Sequence, residues 1–167
     1  NPFGKNSSGI YVTGMHNGVD LRASTGTPVY AMADGVVDGT GDTDVQCPHV
    51  SFGRFILIKY DVVVAATFGH LSLIKVKKGD RVTRGEIVGY SGATGYVTGP
   101  HLHVSVYAKD AVNVETLPSL SCPGHVLTQP IPTSLSTSSP YSAYLDPMLY
   151  WPAYNSATIK NAIQDID

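Results

Sequence analysis

Apolar and polar positions along the chain fall into short runs of strand character separated by glycine-containing turns. PVYAMADGVVDGT (Pro28 to Thr40) predicts a hairpin turning at Asp34-Gly35, and RFILIKY (Arg54 to Tyr60) followed at once by DVVVAATF (Asp61 to Phe68) predicts a second. KVKKGDRVTRGEIVGYSG (Lys75 to Gly92) predicts a third hairpin, and HLHVSVYA (His101 to Ala108) a closing strand. A helical period occurs only at the end, where Ile159, Ala162, Ile163 and Ile166 follow i, i+3, i+4, i+7 spacing behind Ser156 as a cap, which predicts a short C-terminal helix. Many short strands without a long helix predict an all-β protein, an antiparallel β sandwich or partly open barrel.

Composition narrows this picture. A length of 167 residues fits one domain. A hydrophobic fraction of 43% with 17 Gly, 11 Pro and 10 Tyr suits a turn-rich β protein. Lys+Arg 11 against Asp+Glu 13 gives a net charge of -2, which excludes the basic footprint of a nucleic-acid binder. No apolar run approaches the roughly 18 residues of a membrane span. The chain starts at Asn1 with neither an initiator Met nor a charged-then-apolar leader, as a processed chain or a cut fragment would. No Asp, Glu, Lys or Arg occurs between Glu115 and Asp146, and seven of the prolines lie from Pro118 onward. Within that segment LTQPIPTSLSTSSPYSAY (Leu127 to Tyr144) is expected to hold no regular structure and to make a long surface excursion, after which DPMLYW (Asp146 to Trp151) packs again.

The histidines carry the chemistry. In HNGVD, the glycine between His16 and Asp20 disfavours a helix and predicts a turn running into a strand, from which both side chains reach one ion. In GPHLHVSVY, a period of two places His101, His103, Ser105 and Tyr107 on one face and Leu102, Val104 and Val106 on the core face. In FGHLS, His70 ends an apolar strand. His16, Asp20 and one of His101 or His103 make a two-nitrogen, one-carboxylate set that suits zinc and leaves a fourth position open for water. Zinc in such a site brings the pKa of water down to about 7 and polarises a carbonyl, and the remaining histidines suit proton transfer.

HNGVD, then GH, then TGPHLH together resemble the signature of the lysostaphin/LytM-type zinc metallopeptidases, which cut peptides of bacterial cell-wall peptidoglycan. GTPVYAMADGVV, KVKKGDRVTRGEIVGYSGATG and DPMLYW are similar to that family as well, so the resemblance covers Asn1 to about Tyr107 and resumes near Asp146. It implies an antiparallel β sandwich with an open groove and one zinc per chain held by His16, Asp20 and His103. It also implies His101 as general base and His70 as the residue that orients water or stabilises the transition state. Activity outside the cytoplasm on peptidoglycan peptides follows from the same resemblance; a monomer is expected, the sequence leaving the oligomeric state open. The resulting expectation is a metallopeptidase domain over residues 1–151 with an irregular insertion at about 109–145, then a tail over 152–167. SGATGYVTG (Ser91 to Gly99) is expected to wall the groove, with Tyr96 either touching substrate or simply exposed.

Two features depart from the family pattern. Ser105 stands where many relatives have an acidic residue, which implies the loss of a contact that tunes a metal ligand. Lys109 to Leu145 intervenes before the DPMLYW segment and is expected to narrow the groove or carry a binding surface. Cys47 and Cys122 lie in loops inserted relative to the family and are expected to form a disulfide, the alternatives being a second zinc site with His49 and His125 or two free thiols. Two further functions compete with the peptidase. One is a non-catalytic regulatory or wall-binding domain of the same fold, disfavoured because all five site residues are present. The other is a biotin- or lipoyl-type carrier, suggested only by the Lys75 to Gly89 hairpin, which lacks a modifiable lysine in the right setting.

Overall fold

The computed structural model describes residues 17–132 and the short strand Tyr144–Leu145. His16, the DPMLYW segment and the C-terminal helix expected from Ser156 onward lie outside the described residues.

Eleven strands account for most of the described chain: β1 (Val19–Arg22), β2 (Pro28–Tyr30), β3 (Gly35–Asp42), β4 (Arg54–Tyr60), β5 (Val64–Ile74), β6 (Arg81–Val82), β7 (Ile87–Ser91), β8 (His101–Ala108), β9 (Val112–Pro118), β10 (Val126–Pro132) and β11 (Tyr144–Leu145). One turn of helix, α1 (Thr43–Gln46), follows β3. The main sheet runs β1-β8-β5-β4-β3-β6, with β7 on the far half of β5, β2 on β7 and β11 on β8. Every pairing is antiparallel and the sheet does not close, in agreement with the all-β, open architecture expected from the pattern.

Alternation along β4, β5 and β8 builds two apolar layers, one on each face of the central strands. Ile56, Ile58, Tyr60, Ala66, Phe68, Leu102, Val104 and Val106 belong to the larger core, while Leu57, Ala65 and Tyr107 turn the other way to meet Val112. Burial on both faces explains why Val64 to Phe68 reads as a nearly continuous apolar run. Each such large side chain stabilises the fold by about 1.5–3 kcal/mol through its removal from water. That cost of disruption makes β5 and β8 a rigid base for whatever they carry.

Only one of the three expected hairpins forms. β4 and β5 pair as predicted. The Asp34-Gly35 hairpin does not, because β2 joins β7 while β3 joins β4 and β6. Gly35 serves close approach instead, since a Cβ there would lie 2.5 Å from the Lys59 carbonyl oxygen. Lys75 to Gly92 likewise sends β6 to β3 and β7 to β5 and β2. The carrier reading loses its hairpin with this correction.

The segment expected to be irregular begins as an ordered ribbon. β9 and β10 pair from Val112↔Pro132 to Pro118↔Val126. The expectation for Leu127 to Tyr144 is thus corrected over Leu127–Pro132, where Pro130 and Pro132 are tolerated because β10 has a partner on one side only. The ribbon is tied to the loop after α1. Thr128 donates its backbone N–H to Gln46 Oε1 at 2.7 Å, Gln46 Nε2 returns a bond to Thr128 Oγ1 at 3.0 Å, and Ser51 Oγ donates to Gln129 Oε1.

The expected disulfide is present between Cys47 and Cys122, 75 residues apart. It takes both sulfurs, so the alternative zinc site with His49 and His125 has no thiolates to use. Closing so long a loop stabilises the fold by about 4 kcal/mol in the chain-entropy account. Reduction is therefore expected to lower the melting temperature by roughly 10 °C in a chain of this size. Thermal denaturation with and without reductant checks this, and an unchanged melting temperature would contradict it.

Candidate active site

Four of the five residues singled out from the sequence meet on neighbouring strands. Asp20 on β1 is the register partner of His103 on β8, and His103 in turn faces Gly69 on β5. Asp20 Oδ1 lies 2.9 Å from His103 Nδ1 and 3.4 Å from His101 Nε2. The His70 ring stands edge-on to both, with centroids 4.7 Å from His101 and 5.9 Å from His103. The fifth, His16, precedes the described residues.

Strict alternation does not place His70 in this group. Gly69 faces the site, so the next residue on a regular strand would point into the larger core beside Phe68. A bulge between the Phe68 and Leu71 pairings with β4, together with a left-handed backbone at His70 (φ 62), redirects the side chain toward the site. The His70 N–H donates to the Phe52 carbonyl at 2.7 Å, which holds the bulge in place. A Cβ on Gly69 would come to 2.9 Å from the Phe52 ring, so this position must stay bare for the loop to dock.

The surroundings assign hydrogens to the rings. His70 Nδ1 faces the Thr94 carbonyl oxygen at 2.8 Å, and a carbonyl only accepts, so Nδ1 is the donor. Burial first, and then the neighbouring His103 and His101, pull the His70 pKa down to about 4. The ring is neutral near pH 7, and its Nε2 presents a lone pair. His101 is opposite in character. Its Nδ1 donates to the Gly99 carbonyl at 3.0 Å, and the hydrogen bond it gives to the Asp20 carboxylate raises its pKa against the opposing effect of burial. Two adjacent imidazoles are thus pushed apart in proton affinity, an arrangement suited to proton transfer.

Burial separates the paired histidines of β8. His103 is 5% exposed, whereas the His101 side chain is 22% exposed toward the open side. His103 Nε2 is 2.8 Å from Ser105 Oγ. The contact expected to be lost through serine at this position is therefore present, supplied by a hydroxyl in place of a carboxylate.

Sequence reasoning missed three supporting residues. Phe52 lies edge-on to His103 at 5.8 Å. Thr94 receives His70 through its carbonyl, donates from Oγ1 to Leu71 O at 2.8 Å and accepts the Arg54 N–H at 3.0 Å. Asp44 in α1 accepts the Gly95 N–H at 3.0 Å. Nothing in their residue types signals these roles, which arise where two loops close over the bulge. The same loops carry Tyr96, 70% exposed, whose N–H donates to Ser51 O at 2.9 Å.

Among the described residues no three His, Cys, Asp or Glu side chains form a complete metal site. The fit of a metal can still be judged from the donors present. Two atoms sharing one tetrahedral zinc at about 2.0–2.1 Å stand about 3.3 Å apart. The pair with ligand character, Asp20 Oδ1 and His103 Nδ1, stands 2.9 Å apart, a few tenths of an ångström inside that figure. Carboxylate and imidazole donors of this kind suit zinc.

Residues 14–115 match the profile of Peptidase family M23. The chain belongs to this family. This M23 chain is 43% identical over 94 residues to the peptidoglycan DD-endopeptidase ShyA of Vibrio cholerae, a match that spans 56% of this chain and 20% of that relative. The match therefore spans about a fifth of that relative's length. Among solved structures, the catalytic domain of the antimicrobial peptidase lysostaphin from Staphylococcus simulans aligns with a TM-score of 0.64 at 30% identity, covering 91% of this chain and 90% of that one. A zinc-containing peptidase from Vibrio cholerae aligns with a TM-score of 0.55 at 35% identity, covering 66% of this chain and 32% of that one.

Proposed function

We propose that this M23 chain is a zinc metalloendopeptidase that hydrolyses peptide bonds in bacterial cell-wall peptidoglycan, acting outside the cytoplasm. The observation that carries the reading is the convergence of Asp20, His70, His101 and His103 on the faces of β1, β5 and β8 within a chain of this family. The named activities of ShyA and lysostaphin support the substrate class, and the zinc-containing neighbour supports the metal. Nothing observed favours the non-catalytic alternative.

One zinc per chain would be held by His16, Asp20 and His103. When bound there, zinc supplies a Lewis acid that acidifies water and polarises a peptide carbonyl. His103 suits the ligand role because it is buried and its second nitrogen is already engaged by Ser105. His101, more exposed, carries the proton from the attacking water to the departing amine. His70 orients that water through its Nε2 lone pair. Tyr96 stands on the loop that walls the site and offers an aromatic face to the substrate peptide.

Mass spectrometry of fragments released from purified peptidoglycans that differ in cross-bridge type tests the substrate. Release of peptide-linked fragments with new amino termini is expected. Release of glycan fragments only, or none from any wall, would contradict the reading.

A further inference from the structure

The His103 imidazole is gripped along the edge that faces away from Asp20. Ser105 Oγ lies 2.8 Å from Nε2, and the Gly18 backbone presses on the same edge, where a Cβ would come within 2.8 Å of Nε2 and 2.9 Å of Cε1. The Phe52 ring closes a further side. Ser105 is itself fully buried, so bulk water does not reach this edge. Thr67, directly across on β5, has a buried hydroxyl that makes no hydrogen bond, so nothing on that strand draws the Ser105 hydroxyl away from the ring.

Donor and acceptor chemistry then requires more of Ser105 than simple contact. A carboxylate oxygen only accepts, so without metal the neutral ring keeps its hydrogen on Nδ1, facing Asp20, and takes a hydrogen bond at Nε2 from the serine. If the Nδ1 lone pair is given to a metal, the hydrogen must sit on Nε2, which then donates to the serine oxygen. A hydroxyl serves both states because it donates and accepts. A carboxylate in its place would only accept, and an alanine would remove the hydroxyl partner of this buried ring nitrogen.

We infer that Ser105 is a positioning residue whose hydroxyl pins His103 with Nδ1 toward the metal and reverses its own hydrogen bond as the metal enters. The inference rests on the proposed ligand role of Asp20 and His103. Long-range nitrogen–proton correlation spectra of His103 at pH 8, without metal and with one equivalent of zinc, read the tautomer directly. The wild type is expected to show Nδ1–H without zinc and Nε2–H with it. Ser105→Ala removes only an oxygen, and is expected to keep the apo protein's circular dichroism, lower its melting temperature by a few degrees, lose the single tautomer and bind zinc 10- to 100-fold more weakly. A wild-type ring already in the Nε2–H form without metal would overturn the inference. So would a Ser105→Ala protein with unchanged His103 signals and zinc affinity within twofold. If the wild type fails to take up zinc, the ligand reading falls, and the metal-free spectra of the two proteins still decide whether Ser105 sets the ring.

Discussion

His103→Ala is expected to lose both zinc and peptidase activity, while His101→Ala keeps zinc and fold and loses activity by about 100- to 10,000-fold, the usual cost of removing a general base. The two residues are separated by one position on β8 and both approach Asp20 Oδ1, at 2.9 and 3.4 Å. Distance alone does not assign their roles. Their environments differ, because His103 is buried, whereas His101 is more exposed and packs on the neutral His70 ring. A group that must exchange protons with water and substrate belongs in the second environment. Zinc analysis after dialysis, together with cleavage of soluble wall peptides, should be made on both variants. An apo His101→Ala beside a metallated His103→Ala would reverse the assignment.

The second large effect is expected at His70. Asparagine tolerates a left-handed backbone, so His70→Asn avoids the strain that alanine would add at φ 62. The variant should keep zinc and its melting temperature to within a few degrees. Its activity should fall about 100-fold or more, because the short amide cannot place an acceptor where the imidazole Nε2 stands. Turnover should suffer more than the Michaelis constant if His70 orients water and does not bind the peptide. A variant retaining more than a tenth of wild-type turnover would remove His70 from the mechanism.

Much of the site was legible in the sequence because it depends on local periods. The alternation in HLHVSVY places His103 and Ser105 on one face and Leu102, Val104 and Val106 in the core, and the structure keeps that division. The turn and strand expected of HNGVD bring Asp20 against β8. His70 could be singled out but not aimed, since its direction depends on a bulge that requires the Phe52 loop to be docked. Strand partners were less legible still. Asp34-Gly35 carries the chemistry of a hairpin turn, yet Gly35 is used for close approach to β4, and no local pattern distinguishes the two uses. The ribbon of β9 and β10 was hidden because its prolines sit on a one-sided strand, where they remove no ladder bond that the fold needs.

The ribbon also gives the inserted segment a place in the account. Through the Cys47–Cys122 disulfide, the Gln46–Thr128 pair and the Ser51–Gln129 hydrogen bond, it steadies the loop that carries Phe52. Phe52 then touches His103 by its ring and His70 by its carbonyl. The insertion is expected to narrow the groove or carry a binding surface; what its described part shows instead is support of the loop beneath the site.

The central claim, a single zinc held beside two non-ligating imidazoles and required for peptide hydrolysis, is tested most directly on one wild-type preparation. Zinc per chain is measured after dialysis, and cleavage of peptidoglycan is followed before chelation, after chelation and after zinc is restored. The account predicts about one zinc per chain, loss of cleavage with the metal and its return with one equivalent. Undiminished cleavage by the zinc-free protein would contradict it.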